Sequence, residues 1–215
     1  MSRLFSNCHR ELQDRHRSRR LADLTERAVL HDVFTQDDKD FVENADMFFL
    51  SSIGPDGQPT VSYKGGHRGF VRIHGNRLSF PIYDGNGMFL TAGNLAATAR
   101  VGLLFIDFER PRRLRIHGLA ELDERAPGRV ESGALFSVHV TPTQIFVNCP
   151  RYIHRYRKVE ASKYLPCGES DPPLPNWKRL DFIQDGLTPA EQAQVRRLGT
   201  LTQQEYNECV ARGEG

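Results

Sequence analysis

The stretch Asp84-Gly85-Asn86-Gly87 stands between a β-type run, "SFPIY", and the largely uncharged, helix-like "MFLTAGNLAATA". A helix N-terminus leaves backbone N–H groups unpaired and carries partial positive charge, so it binds anions, phosphate above all. Glycines at that point let the backbone approach a ligand without Cβ obstruction. The same residues have a plain alternative, with Asn86 as an ordinary helix N-cap.

A second concentration of reactive side chains is "NCPRYIHRY", Asn148 to Tyr156. Here Arg151 and Tyr152 are placed either to cover a ligand or simply to form a rigid strand exit after Pro150. Cys149 invites a redox role, but a free cysteine is commonly a small buried apolar residue, and that reading is preferred. The four cysteines, Cys8, Cys149, Cys167 and Cys209, contain no C-x-x-C pair and are expected as reduced thiols. His67, His74, His117, His139 and His154 lie on separate segments without H-x-x-x-H or H-E-x-x-H spacing, so no metal site is expected. No G-x-S-x-G elbow supports serine hydrolase chemistry.

The elements that must position these residues begin with a polar amphipathic helix expected from about Cys8 to His31, with Leu12, Leu21, Leu24 and Ala28 on its apolar positions. Its "RHRSRR" run is flanked by Glu11, Asp14, Asp23 and Glu26 and reads as a solvated, ion-paired face rather than a nucleic-acid patch. Thr35 and Asp38 form a capping pair opening a short helix to about Asn44. Then "MFFLSSI" and "PTVSYKG" form a hairpin around "GPDGQ", and "GFVRIHGNRLSFPI" forms another around Gly75-Asn76.

After the helix-like segment, "RVGLLFIDF" is a buried-type strand, and "RRLRIHGLAEL" alternates Leu114, Ile116, Gly118 and Ala120 against Arg113, Arg115 and His117. A linker containing "APG" leads to a last pair of strands, "ALFSVHV" and "TQIFVN", joined at Thr141-Pro142. The tail is polar and proline-rich through "DPPLPNW", then has a helix from Thr188 with proline at its first position. The expected fold class is α+β: an antiparallel split β-barrel of seven or eight strands, an inserted helix, and helical extensions at both ends. The expected division is a helical extension over residues 1–40, a barrel domain over 41–156, and a C-terminal extension over 157–215.

With 39% hydrophobic and 26% charged residues and a net charge of +2, the 215-residue chain has the composition of a globular protein and no call for a polyanionic partner. No run approaches a membrane-spanning length, and the N-terminal residues lack a secretory core, so a cytoplasmic location is expected, with no membrane or nucleic-acid partner.

The order and spacing of "TVSYKGG", "FPIYDGNGM", "NLAATARVGLLFIDF" and "RRLRIHGLAEL" resemble the pyridoxamine 5′-phosphate oxidase-like family of FMN-binding split barrels, over roughly Phe41 to Tyr156. That resemblance implies a homodimer with FMN in clefts between subunits, and a small-molecule electron donor or acceptor. It places Lys64 at the family's strand-end lysine, with Tyr63 lining the same cleft. Pro81, Ile82 and Tyr83, then Asn86 and Gly87, stand where the family wraps the flavin. The family oxidases put Ser-Arg-Lys on the phosphate, whereas this chain has Gly-Asn-Gly. The departure implies a phosphate held by turn and helix amides, with Lys64 or Asn94 assisting.

Arg113 falls where the oxidases have a glutamine at the isoalloxazine ring; its alternative is a surface arginine on a half-exposed strand. Arg151 and Tyr152 would cover the flavin or its phosphate across the subunit boundary. Trp177 is similar in position to a tryptophan near the flavin in some members, but Lys178-Arg179-Leu180-Asp181 lacks the residues that hold the vitamin substrate. The resemblance therefore implies an FMN-dependent oxidoreductase acting on a different small molecule. The alternatives are a non-catalytic flavin or haem carrier, or a reductase using the deazaflavin F420.

Overall fold

Met47–Ile53 (β1) carries Phe48 and Leu50 into the core, and Pro59–Gly65 (β2) pairs with it antiparallel through the expected turn. Arg72–His74 (β3) and Arg77–Tyr83 (β4) close around Gly75, whose φ of 60° suits the two-residue turn. Leu90–Thr98 (α4) follows, then Arg100–Asp107 (β5), Arg112–Asp123 (β6) and Ala134–Val147 (β7). Three helices precede the sheet: Asn7–Arg15 (α1), Arg19–Val29 (α2) and Gln36–Glu43 (α3).

This computed structural model describes residues 2–124, 133–166 and 172–214; the "APG" linker and Cys167 lie outside them. The chain divides into two compact units, Met1–Glu160 and Ala161–Gly215. In the first, the strands form a seven-stranded sheet in the order β2-β1-β5-β6-β7-β4-β3, with every pairing antiparallel. The ladder does not close, so β2 and β3 are its ends; this is a split rather than a continuous barrel.

Curvature comes from the aromatic centre. Phe48 on β1 meets Phe80 on β4 edge-to-face at 5.0 Å, although three strands separate them in the ladder. Phe105 stacks on the same ring at 4.9 Å and Phe70 at 5.9 Å. Aromatic pairs add about 0.5–1.5 kcal/mol beyond their area burial. They reward the sheet for bending its inner face around Phe48.

Two sequence expectations change. The single helix from Cys8 to His31 is two, broken where Arg17 adopts φ 53°. Leu12 and Leu21, nine residues apart, would point to opposite sides of a continuous helix. The break lets Arg10 pair with Asp23 at 2.7 Å and Arg19 with Asp14. Secondly, Thr141-Pro142 does not join two strands but lies inside the 14-residue β7. Proline lacks a ladder N–H and is tolerated at a bulge, and here the register shifts between His117 and Gly118 as Pro142 faces Gly118.

The Thr35–Asp38 capping box opens α3 as expected. In addition, Asn76 accepts from Phe34 N–H at 3.0 Å and donates to the Asp32 carbonyl at 2.8 Å, and His31 bridges to Ile145. These bonds stitch the N-terminal extension to the sheet. In the second unit, Thr188 caps Pro189–Leu198 (α5), and a further Thr-x-x-Glu box at Thr202 and Glu205, not singled out in the sequence, opens Gln203–Ala211 (α6). Lys178, buried, donates to Glu191 at 2.6 Å; with the Thr188 bonds it lowers the Glu191 carboxyl to about 2.

A Cβ at Gly118 would lie 2.6 Å from the Thr141 carbonyl oxygen and 2.8 Å from Val140 Cγ1. Gly118→Ala should therefore lower the unfolding free energy by about 1–3 kcal/mol in urea denaturation. An unchanged midpoint would show that the bulge at Pro142 yields freely.

Candidate functional site

Opposed residues of an antiparallel pair share a face, so the register of β2 on β1 decides where its side chains go. Thr60, Ser62 and Lys64 oppose Ser52, Leu50 and Phe48, and hence lie on the inner face. They form a polar strip beside an aromatic core. Helix α4 covers it with Thr91, Asn94 and Thr98, spaced to share one helical face.

Asn94 is 8% exposed, and its Nδ2 donates to Ser52 Oγ at 3.0 Å and Thr60 Oγ1 at 3.1 Å. Thr98 donates to the Ile53 carbonyl at 2.8 Å. Both amide hydrogens of Asn94 are thus engaged in seating the helix. At the other end, Lys64 Nζ donates to Thr91 Oγ1 at 3.2 Å, and Ser62 Oγ lies 3.5 Å from the same hydroxyl. Lys64 is half-buried and has no carboxylate partner among the described residues, and burial pushes its pKa below the ordinary lysine value.

The turn before α4 differs from the reading of Asn86 as the helix N-cap. The N-cap is Phe89, in the left-handed region at φ 48°, and the helix starts at Leu90. Asn86 instead closes a local turn, its Oδ1 accepting from Met88 N–H at 3.1 Å, while Gly87 has φ 74°. Residues 84–90 are exposed, including the apolar Met88, Phe89 and Leu90. The Gly-Asn-Gly turn is therefore an exposed approach to the helix entrance rather than its first turn.

Other candidates distribute by strand face. Tyr63 is on the opposite face from Lys64, edge-to-face with Phe49 at 6.1 Å, so the two neighbours do not line one surface. Pro81 is buried opposite Ser137, whereas Ile82 packs on the core and Tyr83 follows a register shift. Arg113 opposes Ile106, and its Nε is buried without a hydrogen-bond partner. Asn148 Oδ1 is likewise buried and unpartnered, one position beyond the Leu114–Val147 pair and so level with Arg113. Sequence reasoning missed Asn148, Ser62 and Thr91; the last two were signalled by T-x-S-x-K in β2 and T-x-x-N-x-x-x-T in α4.

Cys149 is exposed, contrary to its expectation as a buried apolar residue. Its Sγ accepts from Arg151 Nε at 3.3 Å, and that arginine's backbone and side-chain bonds, with the Arg113 charge nearby, hold the thiol below its ordinary pKa. Tyr152 is 92% exposed with φ 70°. Among the described residues, no group of three His, Cys, Asp or Glu side chains is placed to hold a metal ion.

A family model described as pyridoxamine 5′-phosphate oxidase matches residues 34–142, just over half of the chain. No curated protein matches the chain. Among solved structures, HupZ of Group A Streptococcus is similar at 19% identity, covering 53% of this chain and 93% of its own, with a TM-score of 0.44. A Lactobacillus delbrueckii protein provisionally assigned as a pyridoxamine 5′-phosphate oxidase is 18% identical, covering 54% and 95% respectively, with a TM-score of 0.43. HutZ, a haem storage protein of Vibrio cholerae, is 18% identical, covering 51% and 90%, with a TM-score of 0.40.

With its folded pKa lowered, Lys64 holds its proton less tightly in the folded chain than in the unfolded one. Its charge opposes folding at neutral pH, and that opposition fades as pH rises from the lowered value toward the ordinary one. Lys64→Met should accordingly raise the melting temperature of the cofactor-free protein near pH 7, with the gain shrinking at alkaline pH. Inorganic phosphate should stabilise the wild type more than the variant; equal stabilisation would remove Lys64 from an anion site.

Proposed function

The chain belongs to the pyridoxamine 5′-phosphate oxidase family, and from that premise we propose that it is an FMN-binding oxidoreductase acting on a small molecule other than the vitamin. The carrying observation is Lys64: a half-buried ammonium, hydrogen-bonded to Thr91 in the first turn of α4, without a counter-charge among the described residues. A phosphate supplies that charge and accepts from Nζ, the Thr91 hydroxyl and the free amides of the helix. The residues present therefore fit the phosphate of FMN.

In this reading Lys64 and Thr91 bind the phosphate, with Asn86 and Gly87 approaching it from the exposed turn, and Asn94 keeps α4 in place. Pro81, Ile82 and Tyr83 position the ring or the ribityl chain, and Tyr63, on the opposite face of β2 from Lys64, meets a cofactor held against a second copy of the chain. The unpaired Arg113 Nε–H and Asn148 Oδ1 offer a donor and an acceptor to the polar edge of the ring, with Arg151 and Tyr152 covering it. A bound flavin would supply the electron transfer, so no side chain is needed as a covalent nucleophile. A cation such as Arg113 at that edge holds negative charge there and favours the reduced cofactor.

The exposed Val61 and Tyr63 on the ladder-end strand β2, with Met88, Phe89 and Leu90 at the helix entrance, form apolar surface suited to a second copy. We take the working unit as a homodimer, with residues 41–156 as the cofactor-binding domain. Among the described residues no helix is long and apolar enough to cross a membrane.

Protein purified without added cofactor should release FMN by mass; F420, or no chromophore even after incubation with FMN, would overturn the assignment. Lys64→Met with Thr91→Val should weaken FMN binding about tenfold or more, as loss of a charge-assisted hydrogen bond requires. Arg113→Ala should shift the reduction midpoint more than the affinity, and an unchanged midpoint would remove it from the ring.

A further inference from the structure

Three polar side chains from three neighbouring strands stand in line on the outer face of the sheet. Leu78 and Phe80 are buried in the core, so Ser79 between them faces outward on β4; Val138 and Val140 turn His139 outward on β7 in the same way. The two are cross-strand partners, and Ser79 Oγ lies 2.7 Å from His139 Nδ1. On the far side of the ring, Asp123 Oδ2 of β6 lies 3.8 Å from His139 Nε2. A carboxylate there favours the tautomer with its proton on Nε2, which leaves Nδ1 to accept from the Ser79 hydroxyl. Glu121, directly opposite His139, is committed to Arg77, so Asp123 is the carboxylate that serves the ring.

The other neighbour of Ser79 is a cation. Arg72 on β3 is its cross-strand partner, exposed, with Nε donating to the Gly69 carbonyl at 3.3 Å and with no carboxylate partner among the described residues. Ser79 therefore stands between an acceptor for its proton and a positive charge, one on each adjacent strand. The next pair on this face, Pro81 with Ser137, brings a second hydroxyl that is buried and has no hydrogen-bond partner. The His139 and Asp123 side chains are 22% and 30% exposed, open to a small molecule yet partly screened from water.

A hydroxyl bonded to an imidazole that a carboxylate orients is the arrangement of an activated nucleophile, and it is recognised by geometry rather than by sequence order. We propose that this face carries a second activity, acyl transfer from small carboxylic esters, with Ser79 as nucleophile, His139 as general base, Asp123 as the positioning residue and Arg72 facing the oxyanion. Ser79 Oγ adds to the ester carbonyl carbon while its proton passes to His139 Nδ1, and the carbonyl oxygen takes the negative charge beside Arg72. Collapse breaks the bond to the alcohol, which leaves with the proton from Nδ1. Water then repeats the sequence on the acyl-Ser79 ester, releasing a carboxylic acid and restoring Ser79. No oxidant or reductant enters, so the activity goes beyond the flavin reading; Pro81, which that reading uses, lies two residues on.

The test is reaction of the full-length protein with p-nitrophenyl acetate, following the burst of nitrophenolate and mapping the acetyl adduct by peptide mass. The expected result is a saturable burst with the adduct on Ser79, absent in Ser79→Ala and slowed about a hundredfold or more in His139→Ala. Arg72→Met should slow it about tenfold or more. Asp123→Asn should do the same, whereas Asp123→Glu, whose longer arm spans the 3.8 Å gap, should restore the rate. The Ser79 variant should keep the wild-type melting curve and flavin content, which separates this outcome from failure of the flavin reading. If His139→Ala alters folding, the Asp123 pair decides through the loss and its rescue. No burst in the wild type, an adduct on another residue, or a wild-type burst in Ser79→Ala would each overturn the proposal.

Discussion

An ammonium placed next to an aromatic core needs a polar path to a counter-charge. Lys64 is the cross-strand partner of Phe48, the residue around which the sheet bends. The register that buries Phe48 therefore turns Lys64 inward as well. Ser62 and Thr60 continue the strip, and α4 answers it with Thr91, Asn94 and Thr98. A wholly apolar helix on this strip would leave hydroxyls and a charge unsatisfied, at a cost of several kcal/mol. The polar seat explains why the inserted helix is uncharged yet not greasy, and why its N-terminus comes to rest at the lysine.

Backbone conformation at the helix entrance fits the same logic. Phe89 at φ 48° and Ala99 at φ 56° bracket α4 with left-handed residues that are not glycine. Such residues persist when surrounding contacts over-determine them. Here the determining contacts are the Asn94 and Thr98 hydrogen bonds, which hold the helix from below, and the Ala120 N–H bond to the Ala99 carbonyl at 2.7 Å.

The N-terminal extension joins the opposite face. Glu26 accepts from Ser2, Arg3 N–H and Leu4 N–H, holding the first residues against α2. Arg3 reaches Asp32 and the Thr143 carbonyl, and its own carbonyl receives Gln144. Within the arginine-rich run Arg19 pairs with Asp14, while Arg3, near the start of the chain, holds Gln144, which hydrogen-bonds His117.

Sequence alone determined the local elements whose causes are local. The β1–β2 and β3–β4 hairpins follow from alternation and from Gly75; α3 follows from its Thr35–Asp38 box and α5 from proline at its first position; the order of strands carried the family resemblance. Failures came where a neighbour intervened. Proline at position 142 reads as a break until Gly118 is seen opposite it, and the α1–α2 break at Arg17 depends on the Arg10–Asp23 and Arg19–Asp14 pairs. Lys64 was legible as a candidate, but its contact with Thr91 was not, because it spans 27 positions. Tyr63 was legible too, yet alternation sends it to the other face. Tertiary structure alone decided that Asn94 seats the helix, that Cys149 is exposed, and that Arg113 Nε and Asn148 Oδ1 are buried without a hydrogen-bond partner. Those properties depend on what lies across the sheet, and a one-dimensional pattern carries the faces of each strand but not the identity of the residue that each face meets.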